Sequence, residues 1–379
     1  MLDIYAGSHA LKTIQQQGFS QQLFTSMLGA SGGPKWFTLF GLDKYLFGEF
    51  FQERTTPLNL IGSSAGAFRF GALAQKDPVA AISRLAKIYS ETVYTEKADA
   101  VEITTKAKAL LDAVYGNNGI EEIINNPIFK AHFIVAKCQG LTSFDSKPLQ
   151  FLGLLGSIIL NRMDRNLLKY QYQRYVFHHP NSQVKLSDHC QFDTFYQPLT
   201  INNLKDALLA SGSIPMVMQG VKNIPQAPNG VYRDGGIIDY HFDLNIEAQT
   251  DVHCTQESNI AETSSDKNSS TNNNHAQNDD LILYPHFNAQ PKAGWFDKNL
   301  ARKVQENHYQ NVVMLVPSKQ FIASLPFGKI PDRKDFTEMD ATTRIKYWRT
   351  VLAETERLAE SFDAFCQQAD VSQIKPFNC

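Results

Sequence analysis

The sequence lacks the features that mark several broad classes of protein. Its 379 residues include five cysteines, an odd number with no Cys-x-x-Cys pair, so neither a disulfide framework nor a zinc or dithiol redox site is indicated. No segment reaches the roughly 18 consecutive apolar residues of a membrane-spanning helix. The formal net charge is -2, which excludes the global positive field typical of nucleic-acid-binding proteins.

The first residues and the longest apolar stretch bear on where the protein acts. MLDIYAGSHALKTIQQQGF has no basic start followed by an apolar run, so a cleaved secretory signal is not expected and the sequence favours a cytoplasmic protein with reduced thiols. The nearest approach to a long apolar run is FLGLLGSIIL, residues 151–160. Its length favours a buried core helix, and an interfacial segment in peripheral contact with a membrane is the alternative.

Strand-like and helical segments alternate along the chain. LFTSML, residues 23–28, leads through a glycine loop into an amphipathic run, and LNLI, residues 58–61, leads through GSSAG into a second one. Two such units in succession predict an α/β layered fold with a mostly parallel sheet, in which ligands bind at the carboxyl ends of the strands. Further strand-like segments at 190–201, 231–238, 281–287 and 312–317 predict that this core resumes later.

Three segments are predicted to stand apart from the sheet within one domain covering residues 1–379. Residues 79–175 have mainly helical periodicity and predict a helical insert or cap. Residues 250–280 carry almost no aliphatic or aromatic side chains, which predicts a disordered polar loop. Residues 340–368 predict an amphipathic C-terminal helix.

A Gly-x-Ser-x-Gly pattern lies at the second strand-to-helix turn, residues 62–66. A serine on such a turn exposes its hydroxyl, and Gly62 and Gly66 permit a crowded backbone and close approach of substrate. The amino terminus of the following helix also favours developing negative charge. We therefore interpret Ser64 as a nucleophile, with a small-residue packing turn as the alternative.

The first glycine loop supplies a second requirement of acyl transfer. In SGGPK, residues 31–35, the consecutive N–H groups of Gly32 and Gly33 can point at one oxyanion. Lys35 can hold the loop or attract an anionic head group. A solvated lysine at the start of a helix is the alternative.

A candidate general base follows much later in the chain. In VYRDGGIIDYHFD, residues 231–243, Asp234 comes directly before Gly235 and Gly236 and can accept the proton of a serine nucleophile. In isolation, Asp-Gly-Gly is most often simply a turn. The alternation of Asp239, His241 and Asp243 resembles a metal-ligand spacing, but a solvated strand face is the favoured interpretation.

Together, in chain order, the glycine loop, the serine turn and the Asp-Gly-Gly motif resemble the patatin-like phospholipase family. ALLASGSIP, residues 207–215, resembles the Ala-Ser-x-x-x-Pro segment that often precedes the family's aspartate. The resemblance covers about residues 23–240. Ser31 and Trp36 stand where the family's loop has glycines, and Asp239-Tyr240-His241 stands where many members have Asn-x-Pro.

The resemblance implies a three-layer α/β/α sandwich and a serine hydrolase of lipid acyl esters. Ser64 and Asp234 would form a catalytic dyad with no histidine, metal or cofactor, and Gly32 and Gly33 would form the oxyanion hole. The two turns and the loop would be supported by Gly62, Gly66, Lys35, Gly235 and Gly236. The partner would be a lipid or fatty-acyl ester, with no nucleic acid.

Two alternatives stay open. An esterase or acyltransferase of the α/β-hydrolase type needs a histidine after the acid in chain order, and His286 and His308 follow Asp234. A catalytically silent protein that binds lipid would keep the same fold, which the departures at Ser31 and Trp36 make a real alternative.

Overall fold

The computed structural model describes residues 1–116, 118–248 and 280–378. Its strands are β1 (Leu2–Ala6), β2 (Phe24–Gly29), β3 (Leu58–Ser63), β4 (Phe129–Cys138), β5 (Tyr172–His178), β6 (Val184–Ser187), β7 (Thr194–Pro198), β8 (Val221–Lys222), β9 (Val231–Asp234), β10 (Asn245–Ala248), β11 (Leu281–Pro285), β12 (Val312–Pro317) and β13 (Ile374–Pro376). Its α-helices are α1 (Ser8–Gln17), α2 (Phe40–Tyr45), α3 (Ala65–Leu73), α4 (Pro78–Glu91), α5 (Ala100–Tyr115), α6 (Asn118–Ile124), α7 (Lys147–Met163), α8 (Leu204–Ser211), α9 (Lys319–Ser324), α10 (Asp335–Glu338), α11 (Ala341–Glu354) and α12 (Glu356–Gln368).

Most of the strands form one large sheet. Its order is β13-β1-β12-β11-β2-β3-β4-β5-β7, with β9 beside β4 and β8 beside β9. Neighbours from β12 through β4 are parallel, whereas β1 is antiparallel to β12, and β5 and β9 are antiparallel to β4. Strands β6 and β10 form a separate antiparallel pair.

The central strands are buried and helices pack against them. Every residue of β3, β11 and β12 is buried, as expected for parallel strands covered on both faces. Helix α3 packs on β2, β3 and β4, and α8 packs on β4 and β9. The predicted α/β sandwich with a mostly parallel sheet is confirmed.

The two predicted strand–turn–helix units are present, and so are the strands predicted near residues 281–287 and 312–317. The predicted C-terminal helix is instead two helices, α11 and α12, which meet at Thr355. The backbone of Gly41 approaches Thr355 so closely that a side chain at Gly41 would lie 2.2 Å from the Thr355 carbonyl oxygen. Residues 250–279 of the predicted polar loop lie outside the described residues.

The range predicted as a helical insert, residues 79–175, needs correction. It contains α4, α5, α6 and α7, but it also contains β4, a ten-residue strand of the central sheet. Six consecutive residues of β4, Ala131–Ala136, are buried. A short apolar run of this kind has no period that separates a doubly covered strand from a buried helix.

The prediction that residues 151–160 form a buried core helix is wrong in one respect. They do lie in a helix, α7, but although Leu154 is buried, most of the large apolar side chains face outward: Phe151, Leu152, Leu155, Ile158 and Ile159 are each at least 43% exposed. Among the residues that the structure describes, no helix is both long and apolar enough to cross a membrane.

Candidate active site

Strand β4 brings the two predicted catalytic residues together. Ser63, the last residue of β3, pairs with Ile134 of β4. Asp234, the last residue of β9, pairs with the next residue, Val135. Because β5 occupies the opposite edge of β4 at Val135, β9 lies on the same edge as β3. The ends of β3 and β9 therefore meet, and Asp234 lies beside Ser64.

Ser64 has a strained backbone on the turn between β3 and α3. Its φ is 53° and its ψ is -120°, a conformation that residues with a side chain rarely adopt. The Ser64 N–H donates to Ser211 Oγ at 2.9 Å, and Ser211 Oγ in turn donates to the Ile134 carbonyl at 2.7 Å. This chain of hydrogen bonds ties the strained turn to β4, and strain that the surroundings hold in this way is typical of functional sites.

The glycines on both sides of Ser64 are needed for close packing. A Cβ at Gly66 would lie 1.8 Å from the Gly29 carbonyl oxygen, and a Cβ at Gly62 would lie 2.6 Å from the Ala67 nitrogen. Helix α3 therefore starts in direct backbone contact with β2. Any side chain at these positions would push the turn that carries Ser64 away from the sheet.

Ser64 and Asp234 are hydrogen-bonded to each other. Ser64 Oγ donates to Asp234 Oδ2 at 2.8 Å, and the Gly236 N–H donates to Asp234 Oδ1 at 2.7 Å. Both side chains are buried, and burial raises the pKa of Asp234 to about 6, against the lowering effect of its hydrogen bonds to Ser64 and Gly236. Asp234 is thus a stronger base than an ordinary aspartate and is still largely ionised at neutral pH.

The turn after Asp234 also requires its two glycines. A Cβ at Gly235 would lie 2.2 Å from the Ile134 carbonyl oxygen, and a Cβ at Gly236 would lie 2.5 Å from Ser31 Oγ. The Asp-Gly-Gly turn therefore passes between β4 and the first glycine loop. This contact fixes the carboxylate relative to that loop.

The first glycine loop lies across the same site. Gly33 has a φ of 56°, in the left-handed region, and Gly32 has a φ of 159°. Neither N–H group donates a hydrogen bond within the described part of the chain, and both glycines line the same cavity as Ser64. They are available to bind an oxyanion.

The two residues that depart from the family's loop have structural roles. The Ser31 N–H donates to the Tyr240 carbonyl at 2.9 Å, and Ser31 Oγ donates to Ser63 Oγ at 3.0 Å. Trp36 is buried and packs on Phe37 with ring centroids 4.8 Å apart. Ser31 thus connects the glycine loop to Ser63, the residue before Ser64.

Ser64, Asp234, Gly32 and Gly33 line a cavity of about 1310 Å³. Part of its wall is apolar and is formed by Ile214, Pro215, Ile237, Phe287, Ile322 and Ile330. More basic than acidic side chains line it, although the whole chain is slightly acidic. The basic ones are Lys35, Lys292, Lys298, Lys319, Arg333, Lys334 and Lys375, and the acidic ones are Asp3, Asp234 and Asp332.

Lys35 occupies the place predicted for it at the start of a short 3₁₀ helix, Gly33–Leu39. Its ammonium group forms an ion pair with Asp332 at 3.2 Å and lies 5.8 Å from the centre of the Phe287 ring. Lys35 therefore joins the glycine loop to the segment that carries Arg333. The Lys298 ammonium lies 3.9 Å from the centre of the Tyr240 ring.

The two late histidines do not contact Ser64. His286 Nδ1 pairs with the Asn288 carbonyl, and His308 Nδ1 pairs with Asp243 Oδ1 at 2.8 Å. Neither histidine is among the residues that line the cavity. Neither His286 nor His308 therefore lies next to Ser64.

The predicted solvated face at residues 239–243 is wrong. Asp239, His241 and Asp243 are all buried, and the segment that contains them is irregular rather than a strand, following a 3₁₀ turn at Gly235–Ile237. Asp239 binds Arg174 Nε and Nη2 at 2.6 and 2.8 Å. His241 lines the cavity, its Nδ1 accepts from the Lys292 N–H at 3.0 Å, and burial lowers its pKa far below the usual value, which leaves it neutral.

One group of side chains in the described residues offers donors for a metal ion. Ligand atoms of His189, Asp243 and His308 lie within 4.8 Å of one another. None of the three lines the cavity that contains Ser64. Asp243 Oδ1 also accepts from the Gln305 N–H at 2.8 Å. This group therefore plays no part in the chemistry at Ser64.

Sequence reasoning missed three contributors to the site. Ser211 lies inside the ALLASGSIP segment, whose Ala-Ser pair was a usable signal for a residue next to the nucleophile. Lys298 and Arg333 belong to segments far along the chain with no local pattern. Only the topology of the sheet brings them to the cavity.

No family model matches the sequence, and no curated protein is significantly similar to it. Among solved structures, the chain is similar to VipD from Legionella pneumophila with a TM-score of 0.33 and 11% sequence identity, over 95% of this chain and 70% of the VipD chain. A TM-score this low establishes neither a common fold nor a common activity. The function therefore has to be inferred from the geometry of the site.

Proposed function

We propose that the protein is a serine hydrolase of lipid acyl esters, of the phospholipase A or lysophospholipase type. The observation that carries this proposal is the 2.8 Å hydrogen bond from Ser64 Oγ to Asp234 Oδ2 on a strained strand-to-helix turn. The resemblance of the glycine loop, the serine turn and the Asp-Gly-Gly motif to patatin-like phospholipases supports it.

In the acylation step, Asp234 takes the proton of Ser64 Oγ while that oxygen attacks the ester carbonyl carbon. The N–H groups of Gly32 and Gly33 stabilise the negative charge that develops on the carbonyl oxygen. The tetrahedral intermediate then collapses, the bond to the alcohol breaks, and Asp234 returns its proton to the departing oxygen. An acyl group is left on Ser64.

In the deacylation step, the same carboxylate acts on water. Asp234 takes a proton from a water molecule, whose oxygen attacks the acyl carbonyl carbon. As this second intermediate collapses, the bond from the acyl carbon to Ser64 Oγ breaks, Asp234 returns the proton to Oγ, and the fatty acid leaves. The raised pKa of Asp234, about 6, suits both steps because a general base is most effective when its pKa is close to the working pH.

The cavity favours a long, amphipathic substrate. Its volume of about 1310 Å³ exceeds the roughly 300–1,000 Å³ of most small-ligand pockets. The apolar wall suits an acyl chain, and the unequal number of basic and acidic side chains suits an anionic head group. These features favour a lipid ester over a small soluble ester as the substrate.

The proposal is tested by measuring fatty-acid release from phospholipids and lysophospholipids. Ser64→Ala and Asp234→Asn are each expected to lower kcat/KM by about 10³-fold or more. Ser318→Ala is the matched control, because Ser318 lines the same cavity but has no contact with Asp234. If the wild-type protein binds lipid but releases no fatty acid, the silent lipid-binding alternative is favoured and the hydrolase proposal is overturned.

Replacing histidines separates the dyad from an α/β-hydrolase triad. His286→Gln and His308→Gln are expected to retain activity within about tenfold, because both side chains lie outside the cavity. His241→Gln tests the one histidine in the cavity wall. A loss of 10³-fold or so in any one of these three variants, with the fold intact, would assign catalysis to a histidine instead.

A further inference from the structure

Helix α7 is amphipathic with the reverse of the usual orientation. Surface helices of water-soluble proteins turn their apolar face to the core, whereas α7 buries Gln150, Ser157 and Asn161 together with Gly153 and Leu154 and exposes most of its large apolar side chains. Phe151 is 55% exposed and Met163 is 73% exposed. The exposed apolar face, called here the α7 face, consists of Leu149, Phe151, Leu152, Leu155, Ile158, Ile159 and Met163.

The buried polar side chains of α7 fix this orientation. Gln150 Oε1 accepts from the Met216 N–H at 2.6 Å, and Ser157 Oγ hydrogen-bonds to Tyr172 Oη at 2.8 Å. Asn161 Nδ2 donates to Asp297 Oδ1 at 2.9 Å. Rotating the helix to bury the α7 face would break these bonds and leave their buried partners unsatisfied.

The same hydrogen bonds place helix α7 beside the cavity that contains Ser64. Met216 directly follows Ile214 and Pro215, which form part of the cavity wall, and Asp297 lies between Trp295 and Lys298, which also line it. Both ends of α7 are therefore bound to segments that carry the wall. The helix that carries the α7 face is therefore attached to the cavity wall through its opposite, buried side.

Cationic side chains without an ion-pair partner among the described residues lie at both ends of α7. Lys147 and Arg162, at its two ends, and Lys169, just beyond it, form no ion pair with a described residue. Of the nearby acids, Asp145 pairs with Arg233 and Lys222, whereas the exposed Asp164 accepts from the Asn166 N–H and forms no ion pair with a described residue. The exposed apolar side chains of Leu141, Phe144 and Tyr170 extend the surface on either side.

We propose that the α7 face is a membrane-docking surface that inserts into the interfacial region of an anionic lipid bilayer. Apolar side chains with basic residues at the border match a layer of acyl chains below anionic phosphate groups. A second copy of the chain fits less well. Three unpaired cations against one unpaired acid, Asp164, make the border of the α7 face net positive, which complements an anionic surface but not an identical copy.

The test is vesicle binding by the full-length protein carrying Ser64→Ala, which cannot consume the lipid if the hydrolase proposal holds. Co-sedimentation is measured with vesicles of phosphatidylcholine alone and of phosphatidylcholine mixed with phosphatidylglycerol. Binding is expected to be tighter to the anionic vesicles and to weaken with added salt. No binding to either kind of vesicle would overturn the proposal.

The α7 face is tested by the triple variant Phe151→Gln, Leu155→Gln, Ile158→Gln. It is expected to bind anionic vesicles at least about tenfold more weakly, because the variant lacks three large apolar side chains that would otherwise transfer from water into the bilayer. The matched control is Phe195→Gln, Ile201→Gln, Phe327→Gln, which changes three exposed apolar residues outside α7 and should bind within about twofold of the parent. Circular dichroism checks that both variants are folded.

Three further outcomes overturn the proposal, and one result separates it from the hydrolase proposal. It fails if the α7 triple variant binds like the parent, if the control variant loses binding equally, or if light scattering shows a dimer that only the α7 variant dissociates. If vesicle binding behaves as expected but no ester is cleaved by the protein with Ser64 intact, the hydrolase proposal fails and the docking surface stands.

Discussion

At the scale of single residues, Ser64 and Asp234 show what local sequence could and could not indicate. The Gly-x-Ser-x-Gly and Asp-Gly-Gly motifs were sufficient to predict the two positions. They could not predict the 2.8 Å contact between them, because it depends on the register of β3 and β9 along β4. The burial that raises the pKa of Asp234 has the same origin.

The activity is expected to rise with pH through about 6. Asp234 must be ionised to accept a proton, and burial raises its pKa to about 6. The value of kcat/KM for an uncharged ester should therefore fall about tenfold per pH unit below that point and level off above it. A profile that is flat between about pH 5 and 8 would contradict the role of Asp234 as the base.

The substitution Asp234→Asn is expected to stabilise the fold near neutral pH while removing activity. The folded chain holds the proton of Asp234 up to about pH 6, whereas the ordinary value is 3.8, so raising the pH from about 4 to 7 favours the unfolded chain. Each unit of pKa difference corresponds to about 1.4 kcal/mol. Urea unfolding should show the variant gaining about 1–3 kcal/mol over wild type across this range.

If the urea experiment shows no such gain, the cost of burying the ionised Asp234 carboxylate is offset by its hydrogen bonds in the folded state. Wild type measured at about pH 4, where the carboxyl is largely protonated in the folded state, serves as the internal control. The two proteins should differ least there.

At the scale of secondary-structure elements, hydrophobic periodicity predicted the elements whose pattern is local. It failed for elements whose buried face depends on contacts with distant residues. The strand–turn–helix units around β2 and β3 follow from short apolar runs that end in glycine, and both are present. Strand β4 was missed because it is covered on both faces. Helix α7 was predicted with the wrong face inward, because its buried side carries three polar side chains that hydrogen-bond to Met216, Tyr172 and Asp297.

The substitution Gly66→Ala tests the close contact between α3 and β2. A Cβ at Gly66 would lie 1.8 Å from a backbone carbonyl oxygen, which cannot move without displacing β2. We expect urea unfolding to show a loss of about 3 kcal/mol or more in the free energy of unfolding. Gly156→Ala in α7 is the control.

At Gly156 the nearest atom would be Gln171 Nε2 at 3.5 Å, which is an ordinary contact. That variant should be neutral or more stable by up to about 1 kcal/mol, since alanine favours a helix over glycine. Equal stability of the two variants would show that α3 and β2 are further apart than the structure has them.

At the scale of the whole molecule, the sheet joins the two ends of the described chain. Strand β1 lies between β12 and β13, so the first strand is paired with the last two. This arrangement has no local signal in the sequence, because nothing near residues 2–6 specifies a partner more than 300 positions away. The fold class could be predicted from the alternation of elements, but the strand order could not.

This arrangement predicts that the described chain unfolds as one unit. Urea transitions followed by tryptophan fluorescence and by far-ultraviolet circular dichroism are expected to coincide. Trp36 and Trp348 are buried and report on the packing of helices, whereas circular dichroism reports on all elements. Two separated transitions would contradict the single domain predicted for residues 1–379.

The most direct test of the catalytic proposal is covalent labelling with a fluorophosphonate probe. Such a probe reacts with an activated serine whatever the natural substrate is. Mass spectrometry of the labelled wild-type protein should locate the adduct on Ser64, and Ser64→Ala should remain unlabelled. Absence of any adduct on Ser64, with lipid vesicles present as well as without them, would contradict an activated serine at this site.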